Sequence, residues 1–174
     1  GVANEPLAAQ RFSRVYGLLV FSPCSYLDPG RVTIHTEPLL GALDLGRYPR
    51  GTDALAAEVV RDLAGAGFEA RCDSRVMRLK YGKLLTNLGN AVQALGGGDA
   101  FGGSLLERLH QEALLCYRAA GIDYVPMTEI YERYSGVGDL PVLGEKRRGG
   151  SSWQSLARRT GTLETDHLNG EIVR

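Results

Sequence analysis

Four polar residues share one face of a predicted helix. Lys80, Lys83, Asn87 and Asn90 follow one another at intervals of three or four residues, which aligns them on a helix that turns about 100° per residue. Leucines border this polar stripe, so its amides and ammonium groups are expected to be semi-buried and to need partners. A polar ligand in a cleft would supply them. A solvated helix face explains the same pattern.

A second candidate site lies between Gly149 and Val173. The run Gly149-Gly150-Ser151-Ser152 precedes a predicted helix, and its backbone N–H groups and hydroxyls would suit a carboxylate or a phosphate. Ser152 would serve equally well as a simple helix N-cap. Glu164 lies at or near another predicted helix start, where capping is again the simplest role.

The elements that must position these residues change in type near residue 73. Before that point the sequence predicts mixed α/β structure. A short helix is expected in EPLAAQRF, a buried strand in VYGLLVF, and an antiparallel pair between RVTIHT and LGALDLG. Thr52 is expected to cap a further helix, and FEARC to form a last strand.

From Asp73 onward only helices are predicted. Ser74 would cap a long one that runs to about Leu95, and the glycine-rich segment LGGGDAFGGS would end it. Ser104 and Glu107 form a capping box at the start of the next helix. Further helices are expected at about 127–134, from 151 to about 160, and from about 164. The sequence therefore predicts a domain boundary between residues 72 and 73.

The composition excludes several classes of function. The 174 residues contain 20 Lys plus Arg and 20 Asp plus Glu, and this balance argues against a nucleic-acid or acidic-membrane binder. The basic run at 146–148 is expected to be a solvated loop. Three cysteines and three histidines are widely scattered, so neither a disulfide framework nor a metal site is expected. No apolar run reaches the roughly 18 residues of a membrane span. Reduced thiols indicate a cytoplasmic protein.

Taken together, the polar motifs resemble those of the ketopantoate reductase family, the NADPH-dependent 2-dehydropantoate 2-reductases of pantothenate biosynthesis. That family carries Lys-Leu-x-x-Asn on a long helix, and then Ser-Ser followed by Thr-Glu-x-Asp-x-x-Asn-Gly. The matching segments here are KLLTN (83–87), SS (151–152) and LETDHLNG (163–170). The opening GVANE also resembles the end of the family's Asn-Gly-x-x-x-Glu loop. The resemblance covers essentially the whole chain.

Three positions depart from the family pattern. The family's second helix Asn lies eight residues after the Lys, where this chain has Ala91, and Asn90 comes one residue early. Leu163 replaces the Thr before the Glu, and Leu156 replaces an Asp. These differences leave the exact substrate open more than the type of reaction.

The resemblance implies an α+β fold. Residues 1–72 would be the C-terminal half of a Rossmann-like nucleotide-binding domain. Residues 73–174 would be most of a helical domain similar to the C-terminal domain of 6-phosphogluconate dehydrogenase. No strand is followed by G-x-G-x-x-G, which is the dinucleotide fingerprint. The chain is therefore expected to be a fragment of a longer enzyme, inactive by itself and without the main NADPH-binding loop.

The resemblance also implies a role for each site residue. Lys83 and Glu164 would be catalytic, with Lys83 giving a proton and a positive charge to the developing alkoxide and Glu164 orienting it. Asn87 and Ser152 would bind the substrate, and Asn90 is a further candidate. The implied partners are NADPH, a small 2-oxo acid and a second copy of the chain in a homodimer.

Two alternatives stay open. A related reductase acting on another 2-oxo acid or an imine would keep the same plan, and the shifted Asn90 and Leu156 favour it. A substrate panel would separate it from a ketopantoate reductase. A non-catalytic helical dimerisation module would instead lose no activity when Lys83 is changed.

Overall fold

The structure is a computed structural model that describes residues 1–97 and 103–174. Half of the glycine-rich segment that was predicted to separate two helices, residues 98–102, lies outside the described residues. The remaining elements confirm a mixed α and β chain in which the regular strands precede residue 73.

A three-stranded sheet forms the first part of the molecule. Strands β1 (Tyr16–Phe21) and β4 (Ala42–Arg47) are antiparallel, and β4 is parallel to β5 (Glu69–Cys72). The crossover between β4 and β5 is helix α2 (Ala54–Gly65), and helix α1 (Asn4–Ala9) precedes the sheet. The central strand β4 is buried along almost its whole length, as expected for a strand with neighbours on both edges.

A two-stranded hairpin lies apart from this sheet. Strand β3 (Val32–Ile34) pairs with β2 (Cys24–Tyr26) and not with LGALDLG, so the predicted strand pairing was wrong. The reason is that β1 and β5 occupy both edges of β4, and no backbone groups of β4 remain for β3.

The cap of α2 also differs from the prediction. Asp53, and not Thr52, is the N-cap, and its Oδ1 accepts a hydrogen bond from Ala56 N at 3.0 Å. Tyr16 donates a second hydrogen bond to Asp53 Oδ2 at 2.7 Å. This carboxylate therefore ties the start of α2 to strand β1, which Thr52 could not do from one residue earlier.

The second part of the described chain is helical. The predicted long helix is interrupted at Leu88, where Leu88 N bonds to Leu85 O and Asn169 Nδ2 donates to Leu88 O. Helix α5 has Gly103 as its N-cap and no side-chain cap, so the predicted capping box is wrong. The helical elements are α3 (Val76–Asn87), α4 (Gly89–Gly96), α5 (Ser104–Ala119), α6 (Met127–Arg133), α7 (Ser151–Ala157), a 3₁₀ helix (Glu164–His167) and α8 (Asn169–Val173).

Helix α3 is held between two hydrophobic clusters. Leu84, Leu85 and Leu88 pack with Tyr117 of α5 in one cluster. Leu79 packs in the other with strand residues Leu19 and Ala42 and with α6 and the loops around it. Packing on opposite faces fixes the rotation of α3, and therefore fixes where its polar stripe points.

One close approach seats α3 on the loop before α6. A Cβ built on Gly82 would lie 2.3 Å from Val125 O, so only glycine fits there. Buried Asp44 of β4 adds a polar link, because it accepts hydrogen bonds from Arg133 and Tyr134 of the α6 region. These contacts join the sheet to the helical part through α3 and α6. None of the described helices is long and apolar enough to cross a membrane.

Candidate active site

A cavity of about 620 Å³ lies where the ends of α3 and α4 meet α7, the 3₁₀ helix and the chain between β1 and β2. Four of the five predicted site residues line it, namely Lys83, Asn87, Asn90 and Glu164. Sequence spacing alone placed three of these on one helix face. The fold brings Glu164 to them from nearly eighty residues further along the chain.

Lys83 is a partly buried cation of this cavity. Burial lowers the pKa of its ammonium group below the usual lysine value, and the nearby charge of Lys80 lowers it further, whereas Glu164 opposes both effects. Among the residues that the structure describes, no carboxylate forms an ion pair with Lys83. An ammonium group held in this way has a proton that is easier to give up than that of a surface lysine.

Lys80 has a different environment although it lies one turn away on α3. Its ammonium group forms an ion pair with Glu5 of α1, and the two side chains are only 10% and 5% exposed. The predicted polar stripe therefore has two parts. Lys80 belongs to a buried structural pair, and Lys83, Asn87 and Asn90 face the cavity. A smaller cavity of about 190 Å³, lined by both lysines, lies between the two parts.

Asn90 faces the start of α7. A Cβ built on Gly150 would lie 2.8 Å from Asn90 Oδ1, so the glycine allows the amide and the helix start to approach closely. Gly150 N donates to Gln93 Oε1 at 2.8 Å, which fixes the start of α7 against α4. Asn87 lies one turn before Asn90 and lines both the large and the small cavity.

The second serine lies behind the cavity wall. Ser152 is 1% exposed, and its buried Oγ has no hydrogen-bond partner among the residues that the structure describes. Ser151 lines the cavity in its place. Gly150 is the N-cap of α7, so the N-cap role that was weighed for Ser152 does not apply. Successive helical residues point about 100° apart, and here Ser151 lines the cavity while Ser152 is buried and does not line it.

Glu164 is the first residue of the 3₁₀ helix and is exposed. It is close enough to raise the pKa of Lys83, although the two make no direct ion pair in the described residues. Glu164 is thus an acceptor at the mouth of the cavity, on the same side as the lysine that it influences.

Sequence reasoning missed the residues that complete the wall. Gln154 is buried and joins two backbone segments, because it accepts from Tyr26 N and donates to Cys24 O, both of β2, and also donates to Gly149 O. Arg147, expected in a solvated loop, lines the cavity while bonded to Asp139. Arg158 of the same wall lies over the Tyr26 ring. No local pattern marks these residues, since each reaches the cavity through contacts with distant segments.

The arrangement offers polar and cationic groups but no metal site. In residues 1–97 and 103–174, no cluster of three or more His, Cys, Asp or Glu side chains could hold a metal ion. Three cations and one carboxylate line the cavity, which therefore suits a small anion with further oxygens to bind.

No known family model matches the sequence, and no curated protein matches it. Solved structures do match its fold. The 2-dehydropantoate 2-reductase from Methylococcus capsulatus has a TM-score of 0.76 and 21% identity, covering 100% of this chain and 60% of that one. D-mandelate dehydrogenase in complex with NADH has a TM-score of 0.73 and 17% identity, with coverages of 100% and 60%. A dimeric ketopantoate reductase from Staphylococcus aureus has a TM-score of 0.60 and 20% identity, with coverages of 92% and 54%.

At these identities the similarity concerns the fold. The chain spans 60% of the length of the first two structures, so their activities belong to longer proteins. Over its whole length, this chain has the fold of a part of the ketopantoate reductase structures.

Proposed function

We propose that this chain is the substrate-binding part of a reductase that converts 2-dehydropantoate to pantoate in pantothenate and CoA biosynthesis, with NADPH as the hydride donor. The observation that carries the proposal is the Lys83 ammonium group, partly buried and without a carboxylate partner in the described residues. It lies in a cavity with two amides and one carboxylate. The shared fold with 2-dehydropantoate 2-reductase structures supports the same assignment.

The reaction asks two things of these residues. When the keto carbon gains a hydride, its oxygen becomes an alkoxide that needs a positive charge and a proton. Lys83 supplies both, and its lowered pKa favours the transfer. Glu164 accepts a hydrogen bond from the new hydroxyl and orients Lys83. Asn87 and Asn90 hold the substrate oxygens, and Ser152 supports this wall from behind.

The nucleotide is not assigned to residues of this chain. Its pyrophosphate needs a glycine-rich turn that leads from a strand into a helix. None of the described strands is followed by that pattern. The residues of this chain account for substrate binding and proton transfer, but not for binding of the nucleotide pyrophosphate.

The architecture follows from the same proposal. Residues 1–72 would be half of the nucleotide-binding domain, and residues 73–174 a helical domain like that of 6-phosphogluconate dehydrogenase, in a longer polypeptide. The coverage of 60% of two similar structures supports a longer polypeptide. A dimeric relative supports a homodimer. Three free cysteines are consistent with the cytoplasm.

A second candidate is the reduction of a different 2-oxo acid. Phe21, Tyr26 and Tyr131 line the cavity and would suit a substrate with an aromatic substituent. The neighbour that binds NADH is a mandelate dehydrogenase, which makes NADH an alternative donor. The shifted amide at Asn90 also favours this alternative.

A substrate panel tests both candidates. The complete polypeptide that carries this sequence is mixed with NADPH or NADH and with 2-dehydropantoate, benzoylformate, pyruvate or a cyclic imine, and the loss of reduced nucleotide is followed by absorbance. Preference for 2-dehydropantoate with NADPH supports the first proposal, and preference for benzoylformate supports the second. Turnover of no substrate, together with unchanged association in Lys83→Ala, would support a dimerisation module.

A further inference from the structure

We propose that Arg158 binds the substrate carboxylate and thereby restricts this cavity to 2-oxo acids. This inference rests on the proposed function, because it names the group that would bind the carboxylate of the proposed substrate. It goes beyond the motif residues, none of which is an arginine. Arg158 lines the same cavity as Lys83 but is the C-cap of α7, which forms a different wall.

The guanidinium group of Arg158 is held in place without being neutralised. Its Cζ lies 4.6 Å from the centre of the Tyr26 ring, which is a cation–π contact. Among the described residues, its only hydrogen bond to another side chain is a long one of 3.5 Å from Nη2 to Ser155 Oγ. Its buried Nε has no hydrogen-bond partner in residues 1–97 and 103–174. Stacking leaves the in-plane N–H donors of an arginine available for a ligand.

The other arginine of the cavity is already engaged. Arg147 donates from Nε to Asp139 Oδ2 at 2.7 Å and from Nη1 to Gly149 O at 3.2 Å. Within the described part of the chain, Arg158 forms no ion pair with a carboxylate. Arg158 is therefore the less engaged of the two guanidinium groups that line the cavity.

The chemistry of a 2-oxo acid matches two cations on separate walls. Its carboxylate accepts two parallel hydrogen bonds from a guanidinium group, and its keto oxygen develops negative charge during reduction. Arg158 would take the carboxylate and Lys83 the keto oxygen. A neutral ketone or amide offers only an oxygen for Lys83 and no carboxylate for Arg158. The cavity should therefore discriminate by the charge of the acid end.

The test uses a ligand that cannot be reduced. Oxamate carries the carboxylate next to a carbonyl, and oxamide is its neutral counterpart. Both are titrated by calorimetry, without nucleotide, into the complete polypeptide. We expect the unmodified protein to bind oxamate and Arg158→Gln to bind it about 10- to 100-fold more weakly, the range for a hydrogen-bonded charged group. Arg158→Lys should lose less, because it keeps the charge.

Arg159→Gln is the matched control. Arg159 is the next residue, carries the same charge, is exposed and does not line the cavity. Its substitution should leave oxamate affinity within about twofold, and thermal unfolding of each variant shows that it is folded. Failure of the unmodified protein to bind oxamate, or equal binding by folded Arg158→Gln, would overturn the inference.

Kinetics separate this inference from the proposed function. With an active 2-oxo acid, Arg158→Gln should raise KM about 10- to 100-fold with little change in kcat. For the amide of the same acid, Arg158→Gln should not raise KM. Lys83→Ala should instead lower kcat, with little change in KM. If no 2-oxo acid is reduced, the proposed function fails, whereas the oxamate titration still decides whether Arg158 binds a carboxylate.

Discussion

Lys80 and Lys83 lie one turn apart on α3, and the fold gives them opposite electrostatic surroundings. Lys80 forms a buried ion pair with Glu5. Lys83 faces the cavity without such a partner among the described residues, and burial together with Lys80 lowers its pKa. One lysine is paired within the fold, and the other carries a desolvation cost that such a pair would offset.

Changing Lys83 to Met should stabilise the fold while removing activity. Because the pKa of Lys83 is lower in the folded than in the unfolded chain, its charge disfavours folding at every pH below the unfolded value. Lys83→Met should therefore raise Tm at neutral pH by about 2–4 °C and lose that gain at strongly alkaline pH. In the complete enzyme kcat should fall about 10²- to 10⁴-fold.

Lys80→Met is the matched comparison, and its effect should have the opposite sign. It removes one partner of a buried pair and leaves the Glu5 carboxylate uncompensated. We expect a loss of about 3 kcal/mol in the free energy of unfolding, measured by urea denaturation. Because Lys80→Met is expected to lower stability, it is not a neutral control for substitutions in the cavity. If both variants shifted stability in the same direction, the contrast between the two lysines would be refuted.

The pH dependence of kcat should report the charges around Lys83. A general acid loses activity as pH rises through its pKa, so the alkaline decline should begin at lower pH than for an ordinary lysine. Glu164 raises this pKa, so Glu164→Gln should move the decline to lower pH. Lys80 lowers it, so Lys80→Met should move the decline to higher pH. A pH profile that neither variant shifts would argue against Lys83 as the proton donor.

Gly150→Ala should damage the cavity without breaking the backbone. The new Cβ would meet Asn90 Oδ1 at 2.8 Å, so the amide or the start of α7 must move. We expect a loss of about 1–3 kcal/mol in stability and a higher KM, measured by thermal unfolding and steady-state kinetics. Gly138→Ala is the control, because its Cβ meets no atom within 4 Å. Equal effects of the two substitutions would contradict the close contact.

Asp44→Ala tests the link between the sheet and the helical part. Asp44 is fully buried and accepts from Arg133 and Tyr134. Its removal should destabilise the protein by about 3–5 kcal/mol. Asp123→Ala removes an ion pair of 2.7 Å whose aspartate is 64% exposed, and should change stability by less than about 1 kcal/mol. Urea denaturation of the two variants provides the comparison.

The sequence by itself determined most of the order of elements and most of one wall of the cavity. Local patterns located four of the five strands before residue 73 and most of the helices after it, because the spacing of apolar residues is a local property. They did not indicate β2 or the break between α3 and α4. The spacing of Lys83, Asn87 and Asn90 placed them on one face for the same reason. The twelve-residue interval from Ser152 to Glu164 carried the resemblance that added Glu164.

Only the tertiary structure decided what these residues contact. Whether a lysine is paired depends on Glu5, which lies 75 residues from Lys80, and no local pattern encodes that distance. Strand β3 pairs with β2 because β1 and β5 occupy both edges of β4. The rotation of α7 against α4 places Arg158 and Gln154 in the cavity wall and keeps Ser152 out of it. Packing between distant segments sets that rotation, so it follows from the whole chain and not from any stretch of it.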